Sequence, residues 1–310
     1  MKAFLFPGQG TQKVGMGRFL RDAYPQVVEP FWREADRILG YPLTRMCAEG
    51  PITALREMPV TQPAVFLCSW TAFAAATSEG ATAEVVAGHS LGEYSALAAA
   101  GVLDWREVLE LVHHRGKLMA EVQRRVDGKM AAIVGRTLEE VERLCDVVRR
   151  RLGQVVEIAN HNEERQVVVS GQSPAVDALI AALDEADDVR TTVLRIGGPA
   201  HSSLMEGAAR EFDRYLDRYE FRCPTIELIS SSTAEPYRSG ADVRKQLGAQ
   251  LVHRVVWVDV LRELGRRGMT ATWELGPGRV LSGLVERALP RTRTFRANDP
   301  TAFADGVRAW

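Results

Sequence analysis

Residues 84–97 read Glu84-Val85-Val86-Ala87-Gly88-His89-Ser90-Leu91-Gly92-Glu93-Tyr94-Ser95-Ala96-Leu97. Glu84 to Ala87, with its paired valines, predicts a strand, and the alanine-rich run from Tyr94 to Ala100 predicts a helix. Between them Gly88 to Gly92 fits the pattern Gly-x-Ser-x-Gly. Strand, glycine-flanked serine and helix is the context in which this pattern builds a nucleophile elbow. The glycines let backbone pass close to the serine, and the serine lands at a helix N-terminus, where free N–H groups and the helix dipole favour a developing oxyanion. A glycine-rich turn with an incidental serine is the other reading of the same five residues.

Working outward, Ala3 to Phe6 reads as a short buried strand, followed by a loop, Pro7 to Gly17, that holds four glycines. Helical patterns run from Gly17 to Leu39. Pro63 to Thr77 is small and apolar all round, as a buried helix is. Asp104 is placed to cap an amphipathic helix that continues to Glu121. The stretch from Lys129 to Ile196 has its own order. Met130–Val134 reads as a strand, and Thr137 caps a helix from Leu138 to Leu152 with Glu140 at capping-box spacing. Val155–Ala159 and Gln166–Ser170 are strands joined by a polar loop, Asn160 to Arg165. Ser173 caps a helix from Pro174 to about Glu185, and Thr191–Ile196 is a last strand. That β-α-β-β-α-β order is the ferredoxin-like arrangement.

The expected fold is therefore α/β. A large α/β-hydrolase-like domain (1–127 and 197–310) carries an inserted ferredoxin-like subdomain (128–196). The second part of the large domain offers a helix at Ser203–Arg218, a strand at Ile226–Ser230 and a helix at Asp242–Leu251. Helix Trp257–Arg267, strand Thr270–Glu274 and a final helix, Val280–Ala288, complete it.

Composition narrows the function classes without choosing one. The chain has 310 residues, 46% of them hydrophobic, with 39 Lys and Arg against 40 Asp and Glu. That balance gives no electrostatic reason to expect nucleic acid or a membrane as partner. The apolar start, Met1 to Phe6, is too short for a signal-peptide core, and Pro63–Thr77 falls short of a membrane span. Cys47, Cys68, Cys145 and Cys223 show neither metal-ligand spacing nor the density of a disulfide scaffold. A reducing, cytoplasmic setting is expected.

A serine nucleophile needs a base. Of six histidines, His89 lies in the elbow and points away from the serine, His113 and His114 lie mid-helix, His161 lies in the polar loop, and His253 stands beside Arg254. His201, in Gly197-Gly198-Pro199-Ala200-His201-Ser202, lies in a turn at the expected domain junction, where catalytic groups are often carried.

Read together, several segments resemble the malonyl-CoA:acyl-carrier-protein transacylase family, which includes the fatty-acid enzyme and the acyltransferases of polyketide synthases. They are Phe6-Pro7-Gly8-Gln9-Gly10, Thr61-Gln62-Pro63-Ala64, Gly88 to Leu97, His114-Arg115-Gly116-Lys117-Leu118-Met119 and Met130-Ala131-Ala132-Ile133. Val167 to Gly171, His201-Ser202, Gln250 with Trp257, and Glu274 to Gly278 complete the set, in family order over about the whole chain.

The resemblance implies a Ser90–His201 dyad and ping-pong acyl transfer from malonyl-CoA to an acyl carrier protein, in fatty-acid synthesis or in trans for a polyketide synthase. It implies an oxyanion hole from the N–H groups of Gln9 and Leu91, and a Gln250 carbonyl that holds the His201 ring. Arg115 would clamp the malonyl carboxylate with two parallel hydrogen bonds, and Gln62 would line the acyl pocket. No cofactor or metal is implied, since CoA and phosphopantetheine are substrates, and a monomer is expected. An acidic carrier protein calls for a local basic patch, for which Arg149–Arg151, Arg266–Arg267 and the Arg291, Arg293, Arg296 group are candidates.

Two positions depart from the family. Ala200 stands where malonyl-using members often have Phe and others Ser, which leaves room for a substituted malonyl extender. His253-Arg254 stands where Asn-Pro is frequent. A proofreading hydrolase acting on acyl carrier proteins is the alternative function. Arg115 argues against it, because uncharged acyl chains give a buried cation nothing to hold.

Overall fold

The computed structural model describes residues 1–183, 187–194 and 198–310. Nine strands are described: β1 Lys2–Phe6, β2 Val85–Gly88, β3 Gly128–Val134, β4 Val156–Glu163, β5 Gln166–Gln172, β6 Arg190–Val193, β7 Glu227–Ile229, β8 Ala271–Glu274 and β9 Arg293–Arg296. They form two sheets. One is parallel, in the order β7-β2-β1-β8-β9, and the other antiparallel, in the order β4-β5-β3-β6.

The parallel sheet is apolar on both faces because helices cover both. In β1, Phe4 and Phe6 enter one core cluster while Ala3 and Leu5 enter another. In β2, Val86 joins the first while Val85 and Ala87 join the second. The larger cluster is filled from the helices Pro25–Leu39, Met58–Ser78 and Trp105–Arg125. The other packs on Trp257–Arg266 and Val280–Ala288.

Helix Met58–Ser78 is apolar around its circumference and contains Pro63 one turn from its start. Proline has no N–H to return to the carbonyl four residues earlier. That carbonyl, on Pro59, accepts instead from His113 Nδ1 at 2.9 Å and from the Tyr41 hydroxyl at 3.1 Å. The caps expected at Asp104 and Thr137 are present. Asp104 and Glu107, and Thr137 and Glu140, both form reciprocal capping boxes.

The antiparallel sheet carries the β-α-β-β-α-β order, with helices Leu138–Leu152 and Ser173–Leu183 on one face. Ile133, Val156, Val167 and Val169 face those helices and make a core of their own with Val141, Cys145, Val176 and Leu179. The residues between them, such as Met130, Ala159 and Val168, turn toward the large domain.

Four expectations change. The polar run Asn160 to Glu163 is not a loop but the end of β4, kept in the strand by register shifts between Ile158 and Asn160 and between His161 and Glu163. Such bulges re-aim side chains without ending the ladder. Only Glu164 and Arg165 turn the corner to β5. Ser173 is the first helical residue rather than a cap, and its hydroxyl bonds Asp127 at 2.6 Å. The expected helix Ser203–Arg218 opens as a 3-10 turn, Ser203–Met205, before Glu206–Leu216. Val280–Ala288 is not the last element, since β9 and a helix, Pro300–Ala309, follow. There Trp310 stacks on Phe4, and Phe303 joins the larger core. The expected ends of the helix near Glu185 and of the strand near Ile196, with the boundary at Gly197, lie outside the described residues.

Candidate active site

Ser90 follows β2 in a left-handed conformation, φ 51°, and helix Gly92–Ala99 begins two residues later. A non-glycine residue there carries strain of about 1–2 kcal/mol, which the surroundings must impose. Three glycines show how. A Cβ on Gly88 would fall on the backbone of Gly92, and one on Gly92 would fall on the carbonyl of Phe6. One on Gly8 would lie 2.6 Å from the His89 carbonyl oxygen. The elbow is thus packed backbone against backbone, and Ser90 projects from it.

Ser90 Oγ lies 2.7 Å from His201 Nε2. His201 is also left-handed, φ 58°, and its own N–H donates to the Leu251 carbonyl at 2.9 Å. Its Nδ1 lies 3.0 Å from the Gln250 carbonyl oxygen and 2.9 Å from that of His253. Two acceptors at Nδ1 fix the proton there and leave the Nε2 lone pair for the serine. Among the described residues no carboxylate orients this ring. Burial, reinforced by the positive charge of Arg115, pushes the His201 pKa down to about 3, so the imidazole is neutral at ordinary pH.

Arg115 comes from the middle of helix Trp105–Arg125 and is 1% exposed. One terminal nitrogen donates to Gln62 Oε1 at 3.0 Å and meets Met119 Sδ at 3.3 Å. The other reaches Gln250 Oε1 at 3.3 Å and Ser90 Oγ at 3.5 Å. Its guanidinium carbon sits 5.4 Å from the centroid of the Tyr94 ring. Among the described residues no carboxylate stands within ion-pair distance of it, and burial lowers its pKa from the usual arginine value. A buried cation held only by neutral groups is costly unless an anion completes the site.

A cavity of about 50 Å³ joins these groups, lined by Gln9, His89, Ser90, Arg115, Met119, Met130, Asn160, Ala200 and His201. Among the described residues, the N–H groups of Gln9 and Leu91 donate to nothing else, and Leu91 immediately precedes the helix. His89 turns away from Ser90, as expected, and its Nε2 meets Asn162 Oδ1 of β4 at 2.9 Å.

Of the residues singled out from the sequence, Ser90, His201, Gln9 and Arg115 border the cavity. Leu91 stands beside it at the helix start. Gln62 is placed differently, since it lies fully buried behind Arg115 and holds the guanidinium rather than forming the wall. Gln250 also stands behind the wall, with its carbonyl on His201. Asn160 also lines the cavity, from β4; Met119 and Met130 line it without having been singled out, and the second carbonyl on His201, from His253, was not foreseen. Backbone acceptors carry no sequence signal. The remaining histidines do not reach the serine. His113 bonds Pro59, His114 stacks on Tyr215 at 3.8 Å, and His161 lies buried in β4.

A family model described as acyl transferase domain matches residues 3–281. The malonyl CoA-acyl carrier protein transacylase of Escherichia coli K12 is 36% identical over 303 residues, covering 97% of this chain and 97% of that protein. The polyketide biosynthesis malonyl CoA-acyl carrier protein transacylase BaeC of Bacillus velezensis is 37% identical, covering 96% of this chain and 100% of that one. Among solved structures, a malonyl-transacylase in complex with its type II polyketide synthase acyl-carrier protein superposes with a TM-score of 0.94. It is 35% identical, and 99% of each chain is covered.

Proposed function

The chain belongs to the acyl transferase domain family, and from that premise we propose that it moves a malonyl group from malonyl-CoA to the phosphopantetheine thiol of an acyl carrier protein through an acyl-Ser90 intermediate. The observation that carries this reading is a buried Arg115 with no counter-ion among the described residues, 3.5 Å from a serine hydroxyl that is itself 2.7 Å from a neutral histidine.

In the first half-reaction Ser90 Oγ attacks the thioester carbonyl while His201 Nε2 takes its proton. The oxyanion falls between the N–H groups of Gln9 and Leu91. The C–S bond then breaks, and His201 passes the proton to the CoA sulfur. In the second, the carrier thiol gives its proton to His201 and its sulfur attacks the ester carbonyl. The C–O bond breaks, and Ser90 Oγ recovers the proton. Carbonyls of Gln250 and His253 stabilise the transient imidazolium, as a carboxylate does in a triad. Arg115 receives the malonyl carboxylate, its first counter-ion at hydrogen-bond range. Met119 and Met130 crowd the cavity beside Ala200, which favours malonyl without an α-substituent over bulkier extenders.

We place the cleft between the large unit, 1–127 and 197–310, and the small unit, 128–196. All groups of the cycle come from one chain, in keeping with a monomer. Four unpaired cysteines fit the reducing cytoplasm. Among described residues, no helix is long and apolar enough to cross a membrane. For the carrier protein, Arg150, Arg151, Arg291 and Arg293 are the cations of the suggested patches that form no ion pair among the described residues, while Arg149 pairs with Asp146. Arg266 pairs with Glu263, Arg267 with Glu227 and Glu263, and Arg296 with Glu286.

Intact mass after mixing with malonyl-CoA tests the reading. A malonyl adduct is expected on the native chain and none on Ser90→Ala. Arg115→Ala should slow malonylation about a hundredfold, from two lost charged hydrogen bonds, and slow acetylation from acetyl-CoA only a few-fold. Release of free malonate or acyl acid with no adduct and no transfer would instead make the protein a hydrolase.

A further inference from the structure

One buried carboxylate is tied to the site without a part in the reaction above. Glu93 opens the helix after the elbow and is 1% exposed. Its Oε1 accepts from the Ser231 N–H at 2.9 Å and the Tyr237 hydroxyl at 2.8 Å. Its Oε2 accepts from the Ser231 hydroxyl at 2.8 Å and from Gln250 Nε2. Gln250 Nε2 donates also to the Ser90 carbonyl at 3.1 Å, while Gln250 Oε1 accepts from Arg115.

We propose that Glu93 is a positioning residue for malonyl recognition, acting through Gln250 to keep an amide oxygen facing Arg115. The inference rests on the malonyl reading above. An amide has two orientations. In the one present, NH₂ faces two acceptors, the Glu93 carboxylate and the Ser90 carbonyl, and oxygen faces the guanidinium. Turned over, oxygen would meet both acceptors and NH₂ would meet a cation. Glu93 thus sets the orientation, and with it one of the two amide oxygens that aim the guanidinium. It also supplies a negative charge to the Arg115 surroundings across the amide while leaving the guanidinium face open to a substrate carboxylate. Burial raises the Glu93 pKa, and the donors around it oppose that shift.

Glu93→Gln keeps the shape and reverses one polarity. The Ser231 N–H is a fixed donor, so the new amide oxygen stays against it and the new NH₂ falls on the side of Gln250. The Gln250 amide must then turn over. The KM for Ser90 malonylation should rise about tenfold, the loss of one hydrogen bond to a charged group, with acetylation by acetyl-CoA within about twofold. Gln250→Leu, which removes the amide but not the backbone carbonyl, should raise the malonyl KM as well. The double variant should be no worse than the more affected single one. Tyr237→Phe removes a donor to Glu93 without turning Gln250, so it should lower Tm and leave the malonyl KM in place. Equal losses for both substrates, or an unchanged malonyl KM, would overturn the inference. If Glu93→Gln does not fold, Gln250→Leu decides by its malonyl KM, and a value unchanged from that of the native chain overturns the inference. A native chain that forms no malonyl-Ser90 would break the underlying reading instead.

Discussion

Residues 88–92 and residues 159–163 both border the cavity, but different forces hold them. The elbow is set by sterics among backbones close by: Gly88 against Gly92, Gly92 against Phe6, Gly8 against His89. The end of β4 is set by hydrogen bonds to distant chain. Val255 N–H donates to the Ala159 carbonyl at 2.9 Å, His161 N–H donates to the Val255 carbonyl at 2.8 Å, and Asn162 meets His89. A site half built on contact and half on pairing should fail differently when each half is disturbed.

The most severe break is Gly88→Ala. One methyl group would overlap main chain with no flexible end to move aside, so the prediction is insoluble or unfolded protein by circular dichroism. A folded, active variant would show that the elbow is not sterically held.

Acid comes next, because it loads the histidine that both halves enclose. His201 is neutral in the native state down to pH about 3, while in the unfolded chain it titrates near 6.5. Below pH 6.5 the unfolded state therefore binds more protons, and native stability falls as pH drops through that window. The loss from His201 alone is about 2 kcal/mol by pH 5. The rate of Ser90 malonylation, by contrast, should stay flat from pH 8 to pH 5 while the protein remains folded. An acid limb centred near 6.5 would mean a solvated ring.

Asn162→Ala should have the smallest effect. It leaves His89 Nε2 buried and unpaired, at a cost of about 1–2 kcal/mol, read as a Tm lower by a few degrees. Malonylation should change only a few-fold. A loss beyond a hundredfold would make β4 part of the reacting apparatus rather than its support.

Sequence reasoning reached the elbow, the Asp104 cap, the Thr137–Glu140 capping box and the ferredoxin-like order because each is written locally, in glycine placement, capping spacing and alternating apolar residues. It also singled out Ser90 and His201. It read Asn160–Glu163 as a loop because buried polar side chains look like exposed ones until their partners are known. It stopped short of β9 and the Pro300–Ala309 helix because Arg293-Thr294-Phe295-Arg296 is too short and too charged to announce an edge strand. It placed Gln62 on the pocket wall, whereas that side chain supports Arg115 from behind.

By itself, then, the sequence determined the α/β class, the inserted β-α-β-β-α-β unit and the strained serine turn, because these follow from steric and hydrophobic rules acting over a few residues. Only the tertiary structure decided which carbonyls hold His201, that Arg115 stands buried with no counter-ion among the described residues, and that Glu93 reaches it through Gln250. Those depend on groups as much as 160 residues apart, such as Gln250 and Ser90, meeting within hydrogen-bond distance. A hydrogen bond is decided by separation and direction in space, and neither is written in a residue's neighbours along the chain.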